Sequence, residues 1–286
     1  MQLGIRTATL RAALERVAFE AHERQEQEAD RGGRAADIPR EDLRDVLAAD
    51  LGSVDRADEV IAYVQERAGL LQARDNRTYA FPHRTFQEYL AATYILKQSE
   101  FDTLLRDRVR RDPDWWQEVF LLAAGASRGT PRNISDLVDC LLPMGAEDGS
   151  VSPDKAQEAQ LAAQALHETG FTEHVDKEAE LGRFSTTYDR VRGWLMISVC
   201  SDQILSPQQR AHCGEALARL CDPRPGVGVD AESGLPDIIW CKVSAGSFLM
   251  GSSDEDSLAG DAEKPQHEQD IAYDYWLARY PVTHAQ

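Results

Sequence analysis

Phe81-Pro82-His83-Arg84-Thr85-Phe86-Gln87-Glu88-Tyr89-Leu90-Ala91-Ala92 carries the chain from an apolar strand through a proline into a helix. In the helix after Pro82, Phe86, Leu90, Thr93 and Tyr94 fall on or near one face. Just upstream, Leu70 to Ala73 and Thr78 to Phe81 flank Arg74-Asp75-Asn76-Arg77. Asp and Asn favour turns, so the pattern predicts a β-hairpin. Toward the N-terminus, Leu10, Leu14, Val17 and Ala21 recur at a helical period. Gln25 to Ala36 is polar, contains Gly32-Gly33 and reads as a loop. Asp37-Ile38-Pro39 then opens a second helix with Leu43, Val46, Leu47 and Leu51 on its core face, and Gly52-Ser53 ends it. A third helix uses Val60, Ile61, Val64 and Ala68. Three helices, a hairpin and a further helix make a winged helix over residues 1–96.

Residues 97–222 show only helical patterns. Trp115, Trp116, Phe120 and Leu121 form one apolar cluster, and Leu137, Leu141 and Leu142 a second. Leu161 and Leu166 with nearby alanines mark a third, Val191, Trp194 and Leu195 a fourth, and Leu217 and Leu220 close the region. Arg128 to Pro131, Gly145 to Pro153 and Ser206-Pro207 break them. Antiparallel helix pairs in an irregular, solenoid-like connector are expected, without a repeat of fixed period. Asp222 to Gly228 is a turn-rich linker, after which β-branched and aromatic residues increase (Ile238, Ile239, Trp240, Val243, then Ile271 to Tyr280). Residues 223–286 read as the start of a strand-bearing domain that stops in mid-pattern, so truncation is expected, with residues 226–286 poorly packed.

Composition excludes several functions. The 286 residues are 42% apolar and 28% charged, ordinary for a globular chain. No uncharged apolar run approaches ~18 residues, the length of a membrane span. The N-terminus lacks the unbroken apolar block of a signal peptide, which predicts a cytoplasmic location. Forty-nine acidic against 31 basic side chains give −18, a surface that repels nucleic acid and anionic membranes. The segment Asp55 to Arg67, where a winged helix would place its recognition helix, holds Asp55, Asp58, Glu59 and Glu66 against Arg56 and Arg67. That balance opposes major-groove binding. Cys140, Cys200, Cys213, Cys221 and Cys241 are scattered without a C-x-x-C pair and read as buried apolar residues, Cys241 as core packing near the first strand of the tail. Asp254-Glu255-Asp256 with Asp261 and Glu263 lacks EF-hand spacing and reads as a solvated loop. His267 and His284 have no third ligand candidate, so no metal site is expected.

The run from Phe81 to Ala92 resembles the closing motif of NACHT-type signalling NTPases, members of the STAND class of nucleotide-operated switches. Ala68-Gly69-Leu70-Leu71 and Trp115-Trp116-Gln117-Glu118-Val119-Phe120 are similar to the same family. The resemblance implies a winged-helix module that folds over a nucleotide pocket, with His83 at the position whose imidazole reaches the β-phosphate of ADP. An imidazole N–H donates to a phosphate and releases it when the domain swings away. ADP or ATP would belong to a parent protein with an upstream nucleotide-binding domain. No G-x-x-x-x-G-K-[ST] loop lies in this chain, so no cofactor and no catalytic residue is assigned to it.

A second ordered series comprises Asp222 to Val227, Leu235-Pro236-Asp237-Ile238-Ile239-Trp240, Val243 to Ser252, Glu263-Lys264-Pro265 and Tyr275 to Thr283. It resembles the beginning of a formylglycine-generating-enzyme (sulfatase-modifying-factor) domain. That resemblance implies an irregular α+β fold related to C-type lectins. Copper-binding cysteines, or the iron-binding histidines of related enzymes, would lie beyond this chain. The expected class is therefore mostly α: a winged-helix module (1–96), a helical connector (97–222) and a truncated α+β piece (223–286). The expected function is a fragment of a NACHT/STAND-type signalling NTPase whose C-terminal domain binds a ligand or protein partner, without catalysis by this chain. The alternative is the N-terminal part of a formylglycine-generating or related metal-dependent oxidase.

Overall fold

A computed structural model describes residues 5–29, 37–64, 71–75, 77–142, 144, 151–171, 173, 182–230, 233–282 and 286. The chain divides into two compact units, Met1–Leu220 and Cys221–Gln286. The first is helical apart from one small sheet. Helices α1 (Thr7–Ala29), α2 (Arg40–Leu51) and α3 (Val54–Tyr63) precede the hairpin strands β2 (Gln72–Ala73) and β3 (Thr78–Ala80), and α4 (Arg84–Ile95) follows. A short strand β1 (Ile38–Pro39) pairs antiparallel with β3, giving the sheet order β1-β3-β2. This is the winged helix expected from the pattern.

Three local expectations are corrected. Ile38-Pro39 is a strand rather than a helix start, and Pro39 caps α2 from outside. Gln25 to Ala29 continue α1 instead of opening a loop. Phe86 does not share the core face of α4: it is 49% exposed. The segment with Ala68, Gly69 and Leu70, the turn residue Asn76, and Glu66 and Arg67 of the recognition segment lie outside the described residues.

The module has its own core. Leu14 and Val17 of α1, Leu43 and Leu47 of α2, Val60 and Ile61 of α3, and Tyr79 of β3 are buried together. Gly52, at φ 71, takes the left-handed conformation that ends α2, and Ser53 caps α3 by accepting from Arg56 N.

The connector contains α5 (Phe101–Arg111), α6 (Pro113–Ala126), α7 (Pro131–Leu141), α8 (Pro153–Thr169), α9 (Arg183–Cys200) and α10 (Pro207–Arg219). Proline at the first positions of α6, α7, α8 and α10 sits where a missing N–H costs nothing. Asp112 Oδ1 accepts from Trp115 N at 3.1 Å and caps α6. Asp112→Ala is expected to cost about 1 kcal/mol, read as a lower urea midpoint at unchanged slope. α5 packs on α6 and α7, α6 on α8, and α8 on α9 and α10.

Module and connector are not separable by burial. Phe19 of α1 and Ala91, Ala92 and Ile95 of α4 enter the core that contains Leu105, Trp116, Phe120, Leu166 and Leu195. Charge continues this seam. Arg108 Nε donates to Glu23 at 2.5 Å, Arg111 Nε to Glu26 at 2.7 Å, and Lys97 pairs with the buried Glu15. Glu15 and Glu26 of α1 are thus buried, and Glu23 half-buried, against α5 and the turn after α4.

In the second unit, β4 (Trp240–Val243) pairs with β7 (Tyr275–Ala278), and β5 (Gly246–Met250) with β6 (His267–Ile271), all antiparallel. Asp222 clamps Arg224, with Oδ1 accepting from Nε at 2.9 Å. Gly251, at φ 88, stands where an added Cβ would meet Glu263 O at 2.5 Å. Among its described residues no hydrophobic side chain is buried, and Trp240, Leu249, Trp276 and Leu277 are each more than half exposed. The expected loose packing of 226–286 agrees with this. Cys241 is exposed rather than in a core, and so are Cys200 and Cys221; Cys213 is buried and Cys140 intermediate. For Cys241 the reason is tertiary: it lies on β4, and a two-stranded pair leaves both faces to solvent.

Candidate functional site

The site is assembled at the N-terminus of α4. His83 adopts extended backbone (φ −132, ψ 138) as the cap residue, and its carbonyl accepts from Phe86 N at 3.1 Å. Its side chain does not cap the helix, and no acidic residue occupies the first turn. The first-turn amides are therefore without a side-chain acceptor, and the positive end of the helix dipole faces outward beside the imidazole. The His83 ring is exposed and lies 5.8 Å from the Phe86 ring at 46°. Tyr89, a turn further on, is 40% exposed. His83, Phe86 and Tyr89 form one outward strip at i, i+3 and i+6.

The inward side anchors that strip. The Arg84 guanidinium lies 4.1 Å over the Trp115 ring and donates to Glu88 at 2.7 Å. Gln87 Nε2 donates to Gln25 of α1 at 2.8 Å, in a buried bond. Trp115 Nε1 in turn donates to the His22 carbonyl at 3.3 Å. The His22 ring lies between Trp115 (5.2 Å) and Trp116 (4.7 Å, edge-on). Burial, then the Arg84 charge, push His22 down to about 4 from the ordinary 6.5. Position 83 is thus held by a helix fastened to both α1 and α6.

Residues 2–95 match the family model described as a winged helix-turn-helix domain C-terminal to NACHT. No curated protein and no solved structure matches the chain. The NACHT-associated winged helix covers the expected module and ends at the last residue of α4. The exposed His83 strip lies within the matched residues.

Other residues singled out in the sequence do not converge. On α3, Asp58 is paired with Arg40 at 3.6 Å and Arg44 at 3.1 Å, while Asp55 and Glu59 accompany Arg56. The Glu263 carboxylate accepts from Ser252 Oγ at 3.0 Å and Gly260 N at 3.4 Å, so it serves its own loop. His267 Nδ1 is 3.0 Å from the Pro265 carbonyl, and His284 lies outside the described residues. Among the described residues no three His, Cys, Asp or Glu side chains are placed to share a metal ion, and no helix is long and apolar enough to cross a membrane. Sequence reasoning missed Phe86 and Tyr89 as surface residues. The available signal was the i, i+3, i+6 spacing of His83, Phe86 and Tyr89, set against Gln87 and Glu88 at positions that turn out to be buried.

Proposed function

We propose that this chain is part of a NACHT/STAND-type signalling NTPase, and that residues 2–95 are the element through which bound nucleotide controls domain position. In this reading an upstream nucleotide-binding domain carries ADP, and His83 donates a hydrogen bond to its β-phosphate in the closed state. The observation that carries the reading is an exposed imidazole at an uncapped helix N-terminus, flanked by Phe86 and Tyr89, inside the matched module. Helix N-terminal amides and an imidazole N–H both favour an anion. The exposed aromatic residues would be covered when the strip docks against the nucleotide-bearing domain.

The C-terminal unit is assigned to ligand or partner binding on a formylglycine-generating-enzyme-like, lectin-like scaffold. This assignment is supported by its ordered motif series, and surface loops on a scaffold are where binding residues concentrate.

The test uses the longer protein that carries both domains. His83→Ala is expected to speed ADP release roughly 10- to 150-fold, equivalent to the ~1.5–3 kcal/mol of a hydrogen bond to a charged group. Melting of the 286-residue chain should be unchanged, because the ring is exposed and makes no hydrogen bond among the described residues. An unaltered ADP release rate overturns the role of His83.

A further inference from the structure

Helix α8 forms the floor of a trough walled by α5 and α6 on one side and α10 on the other. Adjoining cavities of about 550, 250 and 190 Å³ run along it, and all three share Gln160. Gln157, Gln160 and Gln164 line the trough on its floor, and Gln117 of α6 and Gln209 of α10 on its walls, the Gln209 carbonyl oxygen being used to cap α10. Leu161 and Val109, both buried core residues, close its base.

We propose that this trough binds an extended, uncharged peptide segment through its main-chain amides. Three observations point to that class. First, the charges lining it are already committed. Arg110 Nε donates to Glu158 at 2.7 Å and Arg110 Nη2 to the Leu141 carbonyl at 3.0 Å. Lys155 Nζ donates to the same carbonyl at 3.1 Å and pairs with Glu158. The remaining lining charges, Asp154, Glu215 and Arg219, carry no cationic excess that would select phosphate or nucleic acid.

Second, the carboxamides retain bonding capacity. Gln160 uses one N–H on Cys213 Sγ (3.2 Å) and Gln164 one on Glu168 (2.8 Å), which leaves each an N–H and the carbonyl oxygen. A donor and an acceptor on one planar group match the N–H and C=O of a peptide unit.

Third, the spacing fits. Gln160 and Gln164 are four residues apart, a rise of about 6 Å on a helix. The two-residue repeat of an extended chain is roughly 6.6 Å. The floor from Pro153 to Gln164 spans about 16 Å, enough for roughly five extended residues. No Trp, Tyr or Phe lines the trough, so the stacking platform expected of a sugar site is missing among the lining residues.

The experiment follows side-chain amide resonances of the ¹⁵N-labelled 286-residue protein during titration with acetyl-(Thr-Ser)₄-amide, an uncharged peptide with blocked ends. The Gln157, Gln160 and Gln164 carboxamide signals are expected to shift saturably. The same peptide N-methylated along its backbone should bind at least tenfold more weakly. The double variant Gln160→Ala/Gln164→Ala should weaken binding at least tenfold. Gln157→Ala alone, at an exposed position, should weaken it about threefold and guards against misfolding of the double variant. Three results each overturn the proposal: no shift at millimolar peptide, equal binding of the N-methylated peptide, or shifts confined to residues outside the trough.

Discussion

Trp116→Ala is expected to destabilise the Met1–Leu220 unit by about 3–5 kcal/mol, the cost of removing a large aromatic from a closed core. Trp116 is fully buried and stands where α6 meets α1. Its ring is 6.2 Å from Phe19 and 4.7 Å from His22. Truncation therefore opens a cavity at the seam between the winged helix and the connector. For a unit of this size the corresponding fall in melting temperature is roughly 6–20 °C. Trp116→Phe should retain most of the stability, because Trp116 Nε1 has no hydrogen-bond partner to lose. Trp115→Ala should cost less than Trp116→Ala, since Trp115 is only partly buried and borders the surface under Arg84. Calorimetry of the three variants checks the order. A loss below 1 kcal/mol for Trp116→Ala would mean that the two cores do not depend on this seam.

Acid should loosen the same seam through His22. Its folded value of about 4 lies below the ordinary 6.5, so the unfolded chain takes up the proton first. Stability from this residue is complete above about pH 6.5 and is lost as pH falls toward 4, a total of about 3 kcal/mol. The cause is physical: the ring is buried with both indoles against it, and the Arg84 charge opposes a second positive charge. His22→Phe keeps a ring between the indoles and removes the titration. Urea midpoints of wild type and His22→Phe should therefore run parallel above pH 7 and diverge below 6, with the variant more stable in acid. Carboxylate protonation is common to both and cancels in the difference. Parallel curves down to pH 4 would place the proton elsewhere.

The winged helix was legible because its signals are local. Gly52-Ser53 stops one helix and caps the next, Asp75 accepts from the Arg77 and Thr78 amides at 2.7 and 2.9 Å to build the hairpin turn, and Leu43, Leu47, Val60 and Ile61 recur at helical spacing. The extent of α1 was not legible. The stretch from Gln25 onward is polar and reads as a loop, yet Gln25 and Glu26 continue α1 and are buried, as is His22 one turn earlier. Their partners, Gln87, Arg111 and the two tryptophans, lie more than 60 residues away. The His83 position was visible as a motif, but the outward strip it shares with Phe86 and Tyr89 was not, since a periodicity shows that a helix has an apolar side and not which neighbour occupies it. The exposed cysteines show the same gap in the tail.

Sequence alone determined the order of the helices and the hairpin in residues 2–95, strand β1 apart, the motif that places an imidazole at the start of α4, and the absence of a phosphate-cradling loop in this chain. These are properties of short segments, set by turn residues, caps and helical period. Only the tertiary structure decided which polar groups of α1 are buried, that module and connector share a core, and that the glutamines of α8 face a trough. Those outcomes depend on which distant helices cover each face, and no local pattern encodes that choice.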